Sequence, residues 1–259
     1  MPAVDSVLID SHLHLDAAEF DADREAVISR ACEAGVTRFV LPAVELANCL
    51  TVRDLARRLP GSACAYGIHP LYVGRAAEAD IPALRALLAE GGAVALGEIG
   101  LDGFVAEPSL ARQEAFFCEQ LKLAREFDLP VILHLRRAQD QVLKCLRRFP
   151  VKGGIAHAFN GSRQQADAFI GLGFKLGFGG AMTYPGSTRI RALAASLPLE
   201  SLVLESDAPD IPPAWGRGQR NEPANLARYA EILAELRACD VEAIARVTSE
   251  NVRQVLGLP

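Results

Sequence analysis

The sequence predicts an α/β protein, a (β/α)8 TIM barrel built as one domain over residues 1–259. Three observations lead there. Apolar β-type runs alternate with longer helical patterns along the chain, and eight such runs are found. The runs are almost continuously apolar, as strands of a parallel sheet covered on both faces must be. The chain length of 259 residues matches the roughly 250 that such a barrel uses.

Each element follows from its own stretch. VLIDSH (7–12) reads as the first strand, with a helix over 21–34. TRFVLP (37–42) and the helix over 45–59 come next, then ACAYGIH (63–69) with a helix over 80–90. AVALGEIG (93–100) precedes a long helix over 109–127, and PVILHL (130–135) precedes one over 137–148. GGIAHAF (153–159) leads to 162–171, and FKLGFG (174–179) leads to 187–196. SLVLESD (201–207) is the eighth strand, and helices fill 223–238 and 240–256. Gly35 and Gly171 stand where C-caps of the first and sixth helices are expected. A doubly wound open sheet would need a glycine-rich phosphate loop after an early strand, and none occurs.

Composition narrows the class. Half of the residues are apolar and 23% are charged, which excludes a disordered chain. The net charge is −5, unlike a non-specific nucleic-acid binder, so any contact with nucleic acid must be local. No apolar run approaches the ~18 residues of a membrane span, and the N-terminus lacks the basic stretch of a signal peptide. A cytoplasmic protein that does not engage membranes is expected. The six cysteines show no CxxC spacing and read as buried free thiols of a reducing compartment. The helix faces are uniformly Ala/Leu-rich and single out no dimer patch, so a monomer is the expectation.

The five histidines, His12, His14, His69, His134 and His157, all fall at carboxyl ends of predicted strands. In a barrel those ends form the active-site face. His12 and His14 are two apart and share a strand face, so both rings can reach one metal. Glu98, bracketed by Leu96 and Ile99, is a buried carboxylate that a metal would pair. Glu205 and Asp207 alternate onto one face at the end of the eighth strand. Imidazole and carboxylate without thiolate suit Zn, Mn, Fe, Ni or Mg. Four histidines and two acids exceed the needs of one catalytic ion, so two divalent metal ions are expected, sharing a carboxylate.

These motifs resemble the TatD-related metal-dependent deoxyribonucleases of the amidohydrolase-like superfamily, most of all the YjjV-like subgroup. The matching segments are DSHLHL (10–15), GIHP (67–70), GEIGLD (97–102), LPVILHLR (129–136), HAFNGS (157–162), ESDAP (205–209) and RNEP (220–223). The resemblance implies a hydrolase acting on DNA or a nucleotide substrate by metal-activated water, exonuclease-like on single-stranded ends. By position it implies His12, His14 and Asp207 at one ion, His134 and His157 at the other, and Glu98 bridging. It further implies Asp207 and Glu98 as the catalytic carboxylates, with Asp207 taking a proton from the attacking water. His69 and Arg136 would touch substrate phosphate, and Glu205 would orient a ligand. Phe104 stands where many relatives place tyrosine, and Ser206 where threonine is commoner. Hydrolysis of a small-molecule phosphoester, ester or amide is the alternative; a non-catalytic metal-binding protein is the third reading.

The long stretch 205–222 reads as a loop without regular structure. Trp215 with Arg217 and Arg220 has two readings there: a base-stacking, phosphate-holding patch, or an anchor folded over the barrel edge. Arg147-Arg148 reads as a solvated helix end.

Overall fold

The computed structural model describes residues 8–259. Val7, the first residue of the expected strand 7–12, lies outside the described residues. Eight parallel strands stand in sequential order: β1 (Leu8–Asp10), β2 (Val36–Pro42), β3 (Ala63–Tyr66), β4 (Ala93–Asp102), β5 (Val131–Arg136), β6 (Gly154–Ala156), β7 (Phe174–Phe178) and β8 (Leu202–Leu204). Between them run α1 (Arg24–Glu33), α2 (Cys49–Arg58), α3 (Asp80–Glu90), α4 (Leu110–Glu126), α5 (Gln139–Arg148), α6 (Arg163–Gly171) and α7 (Thr188–Ser196). Helices α8 (Leu226–Arg237) and α9 (Val241–Leu256) follow β8. The expected TIM barrel is the observed fold.

The apolar runs are continuous because each strand feeds two cores. Ile9, Val40, Ala65, Ala95, Ile132, Ile155 and Val203, from seven of the strands, meet inside the barrel. Val252 and Leu256 of α9 pack against this layer. The alternate residues, such as Phe39, Leu41, Leu96, Leu133 and Leu176, face the helices in the larger outer core. Burial at about 25 cal/mol per Å² of apolar surface drives both.

The seam between β8 and β1 is closed by a mixed set of bonds. Ser11 N donates to Leu204 O (3.1 Å), and Asp207 N donates to His12 O (2.9 Å). The Asp10 carboxylate bridges the same seam, accepting from Ser206 N at 2.9 Å and His12 N at 3.3 Å.

Four expected strands end two or three residues earlier than read, and β7 one residue earlier. The β1, β3, β6 and β8 ladders stop at Asp10, Tyr66, Ala156 and Leu204. Beyond those points single backbone bonds still reach the neighbouring strands, from Leu13 N to Val40 O (3.3 Å), His157 N to Leu133 O (3.1 Å) and Glu205 N to Phe178 O (3.2 Å). Gly35 caps α1 with φ +85°, as expected, whereas the sixth helix is closed by Gly173. Gly171 is the last residue of α6, and Gly173 takes the left-handed conformation while its N–H donates to Ile170 O. Four cysteines are buried, but Cys32 and Cys239 are exposed. No helix among the described residues is long and apolar enough to cross a membrane.

Candidate metal centre

His14, His69, His134 and His157 line one carboxylate-lined cavity of about 1300 Å³ at the carboxyl ends of the strands, and His12 is buried beside it against Glu98. Glu98 is at its centre, and the local register explains how it gets there. Leu96 pairs with Val131 and Ile99 with Leu133, so Gly97 and Glu98 together oppose Ile132 alone. The extra residue reverses the alternation and turns Glu98 inward, as a bulge does. A side chain on Gly97 would meet Ile132 Cβ at 2.7 Å, so the bulge requires glycine.

The Nε2 atoms of His12 and His14 face each other at 3.3 Å. They lie 3.2 and 3.5 Å from Glu98 Oε2, and 3.7 and 3.8 Å from Asp207 Oδ1. His134 sits between two acids, with Nδ1 at 3.0 Å from Glu98 Oε1 and Nε2 at 3.0 Å from Asp102 Oδ2. The His157 ring stacks on His12 at 3.7 Å between centroids. Its Nδ1 lies 3.1 Å from Glu205 Oε1, and its Nε2 points toward Asp207 Oδ1 at 3.6 Å. Glu205 finds its place because Gly177 has no side chain; a Cβ there would overlap the carboxylate at 2.1 Å. His69 Nδ1 accepts from Leu71 N at 3.1 Å, which leaves Nε2, 3.4 Å from Glu98 Oε1, to carry the proton.

The donor set fits divalent cations. The sets His12/His14/Asp207, His12/Glu98/His157 and His69/Glu98/His134 each gather their ligand atoms within 4.8 Å. Among the described residues, Glu98, Glu205 and Asp207 form no ion pair with Lys or Arg. Among the described residues, imidazoles are the groups beside them that can carry positive charge. Burial pulls the His14 and His157 imidazoles down, but Glu98 on His14 and Glu205 with Asp207 on His157 push them up to about 9 and about 10. His12, buried and beside His157, is held well below its ordinary value. Burial holds His69 down to about 4 despite Glu98, so it is neutral. Burial lifts the Asp207 carboxyl to about 6 against the pull of His157 and His14. Divalent ions would replace these protons and relieve buried like charges.

Asp207 is also strained. Its φ of +57° lies in the left-handed region, at a cost of roughly 1–3 kcal/mol for a residue with a side chain. The bonds of its N–H to His12 O and of its carbonyl to Asp210 N (2.8 Å) hold it there.

The sequence-derived site residues His12, His14, His69, Glu98, His134, His157, Glu205 and Asp207 are thus brought together. Arg136 lies at the exposed rim of the same cavity. His134 groups with His69 and Glu98, while its ring stands 6.5 Å from that of His157. Two buried acids were missed. Asp102 holds His134 Nε2, and Asp10 stitches the seam beneath His12, where burial lifts its carboxyl to about 7 against the Ser206 bonds. Their signal was spacing: Asp10 precedes His12 by two residues, and Asp102 ends the GEIGLD segment. Trp215, Arg217 and Arg220 do not line the cavity.

Residues 9–257 match the sequence profile described as TatD related DNase. The chain belongs to this family. It is 41% identical over 254 residues to an uncharacterized metal-dependent hydrolase, YjjV, of Escherichia coli K12, covering 97% of this chain and 98% of that one. The crystal structure of YjjV, a TatD homolog, superposes with a TM-score of 0.94 at 40% identity, covering 99% of this chain and all of that one. A protein of Erwinia billingiae named 3′-5′ ssDNA/RNA exonuclease TatD is 31% identical over 261 residues, covering 97% of this chain and all of that one. This TatD-family chain is a metal-dependent hydrolase by membership, and its histidine- and carboxylate-bearing strand ends all fall within the matched span.

Proposed function

We propose that the chain hydrolyses phosphodiester bonds of DNA, or of a related nucleic acid, from a single-stranded end, using two divalent ions. The observation that carries this reading is the convergence of imidazoles on Glu98 and Asp207, two buried carboxylates that form no ion pair with Lys or Arg among the described residues. The relative named as a single-strand exonuclease supports the substrate class. A cavity of about 1300 Å³ also exceeds the roughly 300–1,000 Å³ of small-molecule pockets and opens to solvent at the barrel mouth.

In this reading His12, His14 and Asp207 would hold one ion, His134 and His157 would hold the other, and Glu98 would serve both. Ions bound there would polarise the phosphoryl oxygens and lower the pKa of water. Asp207 Oδ1, within 3.8 Å of His12, His14 and His157, would accept the proton of the attacking water. Glu205 and Asp102 hold the far nitrogens of His157 and His134, fixing which nitrogen each ring presents. His69, with its proton fixed on Nε2 by the Leu71 bond, acts as a donor to a phosphate oxygen. Arg136 at the rim contacts phosphate through its guanidinium.

The test is digestion of end-labelled single-stranded DNA by metal-stripped protein resupplied separately with Mg, Mn and Zn. Metal-dependent stepwise shortening, lost in His134→Ala and Asp207→Asn, is expected. No cleavage under any metal, with a generic phosphoester still hydrolysed, would move the function to a small-molecule substrate.

A further inference from the structure

The mouth carries a second constellation beside the ligand cluster. Phe104 is 51% exposed, more than any other large apolar side chain among the described residues, and it lines the cavity. Two guanidiniums pack on its ring, Arg136 with Cζ 3.9 Å and Arg137 with Cζ 4.7 Å from the centroid. Both arginines are exposed. Neither makes a side-chain hydrogen bond or ion pair among the described residues, unlike Arg24, Arg30, Arg163 and Arg220, each bound to carboxylates. In an acidic chain, two free guanidiniums on a bare aromatic at the rim of a catalytic cavity form a surface awaiting an anion with a flat apolar part. A guanidinium stacked by its face keeps its N–H edge free for phosphate oxygens.

The platform is tied to the metal-ligand cluster by short bonds. Asp102 uses one carboxylate oxygen on His134 Nε2 (3.0 Å) and the other to accept from Phe104 N (2.8 Å). Gly103 N donates to Arg136 O at 2.7 Å, joining the β4 and β5 loops. Gln113 of α4 braces the base, accepting from Asp102 N at 2.7 Å and donating to Asp102 O at 3.1 Å. Arg137, at φ +52°, is held in a backbone conformation that side chains seldom adopt.

We infer that Phe104, Arg136 and Arg137 form a nucleotide-reading platform. A base of the substrate strand stacks on the Phe104–guanidinium assembly while the arginine edges bind the adjoining phosphate. This deepens the proposed function and rests on it: it makes the enzyme select strands that carry bases near the reacting phosphate.

The experiment measures kcat/KM of metal-loaded protein on two single-stranded oligonucleotides. One has ordinary nucleotides at both ends; the other has abasic residues at its last positions on each end. Wild-type protein should prefer the base-bearing strand by roughly ten- to a hundredfold, the scale of one to two stacked bases. Phe104→Ala should bring that ratio close to one, and Phe104→Trp should restore it. Arg137→Ala should lower cleavage of the ordinary strand and flatten its salt dependence. Because the readout is a ratio within each protein, partial loss of folding or metal does not mimic it. Equal cleavage of both strands by wild type, or a full preference in Phe104→Ala, would overturn the platform alone. Wild-type protein that cleaves neither strand under any metal removes the nuclease reading, and the platform with it.

Discussion

Two stretches of the barrel mouth begin alike and end differently. On one side β4 and β5 deliver Glu98, Asp102 and His134 and then run into Phe104, Arg136 and Arg137. On the other, β8 leads to Glu205 and Asp207 and then to Trp215, Arg217 and Arg220. Each stretch pairs an aromatic with arginines just past a ligand-bearing strand end. The first keeps its guanidiniums free and faces the cavity. In the second, Arg220 is bound by Asp23 at 2.8 and 2.9 Å and by Glu222 at 2.7 Å. Trp215 lies against Arg228 of α8, with Cζ 3.8 Å from its ring, and donates to Asn225 Oδ1. Buried Asn221 collects the loop, donating to the carbonyls of Ser206, Asp210 and Ile211. What separates a binding surface from an anchor is thus the local supply of acids and of packing partners, not the residue types.

The sharpest way to break the comparison is to ask whether the two sides share one reaction. Asp207→Asn on the β8 side should lower kcat on single-stranded DNA by about 10²–10⁴-fold, the usual worth of a positioned proton acceptor. Glu98→Gln on the β4 side should lower it at least as far and also reduce the bound metal measured by elemental analysis. Activity within tenfold of wild type in either variant would mean that the two sides are not halves of one centre.

A finer comparison sets Asp102 against Glu205, which hold the far nitrogens of His134 and His157. Asp102→Asn and Glu205→Gln should each weaken metal binding by about 10–100-fold, read by competition with a chelating dye. Only Asp102→Asn should also erode the preference for base-bearing strands, since Asp102 alone fixes Phe104. Equal erosion by both variants would break the link between platform and ligand.

The histidines were legible in the sequence because a barrel sends strand ends to one face and five of five fell there. The barrel itself was legible because both faces of the strands are largely buried, which writes nearly continuous apolar runs. Asp102 and Asp10 were not, since an acid at a strand end reads equally as a turn residue; only the fold brings His134 and Ser206 to them. The inward turn of Glu98 was also hidden. It depends on a bulge against Ile132, and register with a strand 34 positions away leaves no mark in local periodicity. The anchor role of Trp215 needed its partners Asn225 and Arg228, which belong to the following helix. A stretch read as structureless holds a 3-10 turn over Ala214–Gly216 that places this indole.

Trp215→Ala tests the anchor directly. It should cost about 1–2 kcal/mol of stability, from lost aromatic burial and the lost cation–π contact with Arg228, read as a lower midpoint in urea. The ratio between base-bearing and abasic strands should stay at the wild-type value. A changed ratio with unchanged stability would reverse the roles assigned to the two aromatics.

The smallest effect concerns the acids that keep Arg220 quiet. Hydrogen bonds from Arg220 and Arg30 lower the Asp23 carboxyl from 3.8 to about 2. A carboxyl depressed on folding contributes stability above its unfolded pKa, and that contribution fades as pH falls from about 4 toward about 2. The pair is partly exposed, so salt should weaken it further. The melting-temperature difference between wild type and Asp23→Asn should therefore be small and steady at pH 5–7. It should shrink as the pH is lowered through this window and shrink again in high salt. A difference that grows on acidification would show that Asp23 is not held as an anion by these arginines. The contrast between a neutralised and a free guanidinium cluster would then need another cause.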